Sequence, residues 1–172
     1  MSAFPDWQKY MVKQKRPATG CISTGFEMIL RAAGVKNIDF TTFQDEFDLD
    51  QNLKPGEHGR NNFDSVAEAV KAKYPQIQFK KGVYAKGEGS KKLAAVEGMV
   101  LSGKPVLISL TLRPEGGWHI MPVVDLTANI LTLLWSVEDD GAAQIMELEK
   151  SDFIHIHDNF PGGDDIAFLV ED

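Results

Sequence analysis

The chain has 172 residues, 43% of them hydrophobic, one cysteine, and a net charge of -7 from 18 Lys and Arg against 25 Asp and Glu. That length fits one domain with an ordinary core. The lone cysteine excludes an intramolecular disulfide, which points to a reducing, cytoplasmic setting, and an acidic chain without a basic stripe argues against nucleic acid as partner.

The first 25 residues, MSAFPDWQKYMVKQKRPATGCISTG, lack the apolar block of a secretory signal. No apolar run approaches the ~18 residues of a membrane span. Ile22, Phe26, Ile29, Leu30 and Ala33 share one face at helical spacing, and Gly34 is placed to stop the chain in a left-handed cap. This predicts a helix over 22–33 with Cys21 at its N-terminal edge. A short helix is expected over TTFQDEFD, with Thr41 or Thr42 as cap and Phe43 and Phe47 on one face. DLDQNLKPGEHGRNN reads as a polar loop rich in turn formers. FDSVAEAVKAKY predicts a third helix with Val66, Ala69 and Val70 inward and Pro75 beyond its end.

After the extended QIQFKKGVYAKGEG and its glycine-rich turn, Ser90 stands as the cap of a helix through Leu101, which Gly103 ends. The periodicity then changes. PVLISLTL (105–112), WHIMPVVDL (118–126) and NILTLLW (129–135) are apolar, rich in branched residues and joined by short turns, which predicts an antiparallel meander. AQIMEL and IAFLV read as further strands, with a short helix over EKSDFIHIH between them. No repeat, low-complexity segment or linker divides the chain. Residues 1–172 are therefore expected to form a single α+β domain. An N-terminal helical half, about 1–103, would pack on a C-terminal antiparallel β-sheet, about 104–172.

The cysteine lies in TGCIST. A helix N-terminus presents unpaired backbone N–H groups and the positive end of the helix dipole, which favour a thiolate. Cys21 is thus expected to ionise below the ordinary thiol value of about 8.5, with Gly20 allowing close approach of another backbone or a substrate. The alternative is a buried cysteine acting as a small hydrophobe.

A nucleophilic thiol needs a base, usually a histidine distant in sequence. His58 lies in the polar loop and is expected to be solvated. His155 and His157 alternate in FIHIHDN, without an obvious third metal ligand, and read as surface residues. His119 opens the apolar strand directly after PEGG, so its imidazole can stand at the sheet rim, or simply be a hydrogen-bonded strand end.

TGCISTGFEMILRAAG, then LSGKPVLISL, then GGWHIMPVVDLTANILTLLW, resembles the papain-like cysteine peptidases. The similarity is strongest to the small bacterial branch related to the peptidases that process double-glycine leaders, and it covers about residues 14–136. It implies a papain-like fold, with Cys21 as nucleophile and His119 as the base that later protonates the leaving amine. The family's oxyanion donor is a Gln six residues before the Cys. Here position 15 is Lys and Gln14 lies seven before, so Gln14 serves only if one residue bulges.

The family's imidazole-orienting Asp or Asn would fall at Trp135 or Ser136. Ser136 can accept a hydrogen bond from His119 but carries no charge. Asp139 or Asp140 can swing back from EDDG, or form a solvated acidic turn. Asp125 lies roughly 20 Å along the same strand, beyond reach of the ring, and reads as structural. Trp118 is either a wall of the site or an ordinary strand aromatic.

The resemblance implies a thiol hydrolase that cleaves a peptide or amide bond through an acyl-thioester, or transfers the acyl group to another acceptor. No metal or organic cofactor is implied, and the partner would be a peptide or protein substrate. The competing expectation is a catalytically impaired papain-like module that binds or regulates a peptide or protein partner. A third is a redox sensor using Cys21.

Overall fold

The computed structural model describes residues 9, 12–16, 19–52, 59–115, 117–136 and 143–170, and over them the chain is a mixed α+β structure. Helix α1 (Cys21–Ala32) ends as its spacing predicts: Gly34 has φ 69° and the Val35 N–H closes on the Leu30 carbonyl at 3.1 Å. Helix α2 (Phe43–Phe47) is one short turn whose two phenylalanines bury their rings 4.7 Å apart. Helix α3 (Phe63–Lys73) is capped by the Asn62 side chain, which accepts from the Ser65 N–H at 2.8 Å.

Strand β1 (Phe79–Val83) leads to α4 (Gly89–Leu101). Ser90 is not the cap of α4: the helix starts one residue earlier. The Asp158 carboxylate, from α5 (Lys150–Asn159), accepts from the N–H groups of Gly87 and Gly89, both at 2.9 Å. A cap supplied by another helix leaves no local sequence signature. The remaining strands are β2 (Val106–Thr111), β3 (Trp118–Leu126), β4 (Ile130–Ser136), β5 (Ala143–Glu149) and β6 (Asp165–Leu169).

The six strands form one antiparallel sheet in the order β1-β6-β2-β3-β4-β5, so the predicted meander is present. Both faces are covered. Leu107, Ile120, Val124, Leu134 and Ala167 pack with α1, α2 and α3, while Ile108, Leu110, Met121, Val123 and Ile166 pack with α4 and α5. Strand β2 is consequently buried at every position. The helical and sheet halves are less segregated than expected. Strand β1 pairs with β6 at the sheet edge, and α5 packs beside α4 on the face away from α1. A sheet apolar on both sides must bury both, so helices from both halves of the chain are recruited.

Helix α1 is held by close contact with the sheet. A Cβ at Gly25 would come within 3.0 Å of Leu107 Cδ2 and 3.3 Å of Ile120 Cγ2. The next residue, Phe26, stacks on Phe79 of β1 with centroids 4.2 Å apart and planes at 8°. Pro122 interrupts β3, a central strand, and a register shift follows between Val123 and Asp125. Proline donates no ladder hydrogen bond, and a bulge is where a sheet tolerates it. Among the described residues, no helix is long and apolar enough to cross a membrane.

Candidate active site

The first turn of α1 is assembled by residues before and inside it. Gly20 brings no capping side chain; its carbonyl accepts from Thr24 N at 3.0 Å, Thr24 Oγ1 at 2.7 Å and Ser23 Oγ at 3.1 Å. The Gly20 N–H donates to the Arg16 carbonyl at 2.8 Å, and a Cβ at Gly20 would stand 3.0 Å from that oxygen. The close approach expected of Gly20 is therefore to the chain's own backbone.

The thiol of Cys21 lies against backbone N–H groups from two places in the sequence: its own and that of Ile22, at the helix start, and that of Ile120 in β3. Ile120 directly follows His119. The α1 N-terminus and the opening of β3 thus meet at the sulfur. His119 is half-buried at the second position of β3, opposite Leu110, and follows the exposed Trp118.

The direction of the thiol's ionisation differs from the sequence expectation. Although the residue as a whole is only half-buried, burial of the thiol pushes it up to about 11. The three backbone N–H groups pull the other way, and Asp48 adds a smaller upward push. The helix-terminus effect is present, but desolvation of a charged sulfur outweighs it.

Gln14 is buried, and its Cγ lies 3.5 Å from where a Gly20 Cβ would be, which sets it beside the cysteine's neighbour. Its amide nitrogen donates to the Arg16 carbonyl at 3.0 Å. Lys15 turns outward to the Thr41 carbonyl at 3.0 Å and the Asp45 carboxylate at 3.4 Å. The chain before Cys21 therefore buries Gln14 and exposes Lys15.

Two side chains that the sequence reading missed hold this segment. Gln44, from α2, accepts from Lys15 N and from Thr24 Oγ1, each at 2.9 Å, and donates to the Lys13 carbonyl at 2.9 Å. Asp48, fully buried, accepts from Arg16 Nε at 2.9 Å, Thr19 Oγ1 at 2.7 Å, Asn61 Nδ2 at 2.8 Å and Asp50 N at 3.1 Å. Asn61 also donates to the Thr19 carbonyl at 2.8 Å. A buried carboxylate is tolerable when a cation and several donors surround it. Nothing local in FQDEFDLD marks Asp48 from its neighbours, because every partner but Asp50 is distant in sequence.

Ser136 is the last residue of β4, its backbone paired with Ala143, and Trp135 pairs with Gln144. Asp139, Asp140 and His58 lie outside the described residues. Asp125 accepts from the Leu126 N–H at 2.8 Å beside the bulge. His155 is exposed near Asn159, whereas His157, expected at the surface, is buried with Nε2 3.0 Å from the Ala85 carbonyl. Their helix turns His157 inward because α5 packs on α4 and the chain leading into it.

A buried lysine was also missed. Lys92 of α4 is fully enclosed; its Nζ donates to the Ser109 carbonyl at 2.6 Å and the Gly163 carbonyl at 2.7 Å, and burial lowers it to about 7. Its spacing to Val96 and Val100, both buried, is the signal that places it on the apolar stripe.

No family model matches the chain, and no curated protein is significantly similar to it.

Proposed function

We propose that the chain is a papain-like thiol hydrolase that cleaves a peptide or amide bond through an acyl-thioester on Cys21, with His119 as base. The observation that carries this reading is the convergence of the helix N-terminus and the residue after His119 on one sulfur. The raised thiol defines the order of steps. The thiol rests protonated, so His119 removes its proton as the sulfur attacks the substrate carbonyl, rather than holding a preformed ion pair.

In the tetrahedral intermediate the negative oxygen is held by the Cys21 backbone N–H and the Gln14 amide. The C–N bond then breaks, His119 returns the proton to the leaving amine, and the acyl group remains on sulfur. Water, deprotonated by His119, attacks the thioester; the acid leaves and the thiol regains its proton. Asp48 and Gln44 act as positioning residues for the segment that carries Gln14 and Cys21.

One observation favours a second reading. A thiol buried and pushed up to about 11 suits a papain-like module that holds a peptide without cutting it. Peptide p-nitroanilides, acid quench and mass analysis of the Cys21 peptide distinguish the two. The hydrolase gives an acyl adduct on Cys21, absent in Cys21→Ala and formed about 10²–10⁴-fold more slowly in His119→Ala. Unmodified protein and intact peptide across a broad set of sequences would leave the binding module.

A further inference from the structure

Beside the thiol site is a cavity of about 350 Å³. Ile22, the residue after Cys21, lines it, as do Trp118 and Ile120, the residues on either side of His119. Phe63 and Val83 complete an apolar wall. Trp118 is 44% exposed and Val83 65%, and they are two of four large hydrophobic side chains exposed among the described residues. Apolar side chains left in water around a concave site mark a place where something docks.

A polar wall adjoins it, Asp165 standing directly across from Val83 in the β1–β6 pair, and its charges are unequally compensated. Lys81 is paired with Asp64 at 2.6 Å, and Asp164 with Lys86 at 2.7 Å. Asp165 has no ion pair among the described residues; one carboxylate oxygen accepts from the Ser109 hydroxyl. Lys81 and Lys92 both act on Asp165 electrostatically, but Lys81 is held by Asp64 and the Lys92 nitrogen donates to the Ser109 and Gly163 carbonyls instead of the carboxylate. At the edge of this wall the Thr111 hydroxyl, buried to 1% exposure, has no hydrogen-bond partner among the described residues; it lies 3.5 Å from where a Gly162 Cβ would stand, and Gly162 lines the cavity.

We propose that this cavity is a specificity subsite for a lysine or arginine side chain of a bound peptide, its methylenes along Trp118, Val83 and Ile120 and its cationic end at Asp165. A long basic side chain has this two-part character, an apolar stem ending in a charged donor. An aliphatic side chain would leave Asp165 facing an uncharged end. An acidic one would meet Asp165 while Lys81 is already engaged by Asp64. The inference deepens the peptide-site reading and rests on it, but it concerns binding and not bond cleavage.

The test uses Cys21→Ala protein, which holds peptide without turnover, and blocked pentapeptides Gly-Gly-X-Gly-Gly with X as Lys, Arg, norleucine or Glu. Binding is followed by amide shifts of Trp118, Gly162 and Gly163. The expected result is at least tenfold tighter binding of the Lys or Arg peptide than of the norleucine and Glu peptides. Asp165→Asn, which can still accept from Ser109, should reduce that preference to twofold or less while leaving norleucine affinity unchanged. Lys81→Met should preserve the preference. Equal affinities, a preference for Glu that Lys81→Met removes, or selectivity unaffected by Asp165→Asn would each overturn the proposal. Because no turnover is read, absent hydrolysis in the wild type would sink the thiol mechanism alone, and unselective binding by a working hydrolase would sink the subsite alone.

Discussion

The thiol of Cys21 lies against the backbone N–H of Ile120, which joins the first turn of α1 to the opening of β3 beside His119. Three N–H groups surround a sulfur that burial nevertheless keeps protonated. Under the proposed thiol mechanism such a site is quiet until His119 acts on it as base.

Alkylation of Cys21 should reveal that quiet state. The fold raises this thiol from an ordinary 9.0 to about 11, so the folded protein holds the proton more tightly. The associated stability is present below about 9 and is lost as pH rises through about 11. The iodoacetamide rate should be slow at pH 7, climb about tenfold per pH unit and level off only above about pH 11. His119→Ala should leave this resting profile in place. A reactive plateau near neutrality that the substitution removes would instead demonstrate a preformed ion pair.

Asp48 should matter for stability well beyond one surface charge. Asp48→Ala removes the acceptor of the Arg16 Nε–H, the Thr19 hydroxyl and the Asn61 amide, while Arg16 keeps Asp45, and is expected to cost about 1–3 kcal/mol in urea unfolding. Asp48→Asn removes the charge that pushes the Cys21 thiol upward, so its alkylation profile should move to lower pH by a fraction of a unit. An upward move would show that the loss of anchoring dominates.

At Gly25 the space between α1 and the sheet is already filled. Gly25→Val places branched carbon against Leu107 and Ile120, and overpacking of this kind costs about 1–3 kcal/mol. It should also displace Cys21 relative to β3, so the unfolding midpoint falls and, under the proposed hydrolase mechanism, acyl-adduct formation falls with it. Unchanged stability would mean that the helix can lift off the sheet freely.

Lys92 should leave a pH signature in stability. Its folded value of about 7 lies below the ordinary 10.5, so the unfolded chain binds the proton more readily between these values. Stability therefore rises with pH across that window, and the penalty, on the order of 5 kcal/mol, is complete below about 7. The wild type should gain stability relative to Lys92→Met when urea midpoints are compared from pH 7 to 10. A difference that stays constant across this range would mean that Lys92 keeps an ordinary ammonium.

Much of the architecture is local and was legible from residue order. Helical spacing of Ile22, Phe26 and Ile29 places α1, Gly34 ends it at positive φ, and three branched apolar runs with short turns specify the β2–β3–β4 meander. These features depend on interactions within a few residues, which periodicity and turn chemistry encode. The position of Cys21 at a helix start belongs with them.

What the tertiary structure alone decided is the environment of those residues. Asp48 became a buried hub and its neighbour Asp45 an exposed partner of Arg16, His157 turned inward while His155 stayed out, and Lys92 was enclosed. The sign of the Cys21 shift was decided in the same way. Desolvation and long-range hydrogen bonding depend on which distant segments close around a group, and residue order prescribes those segments only through the whole fold.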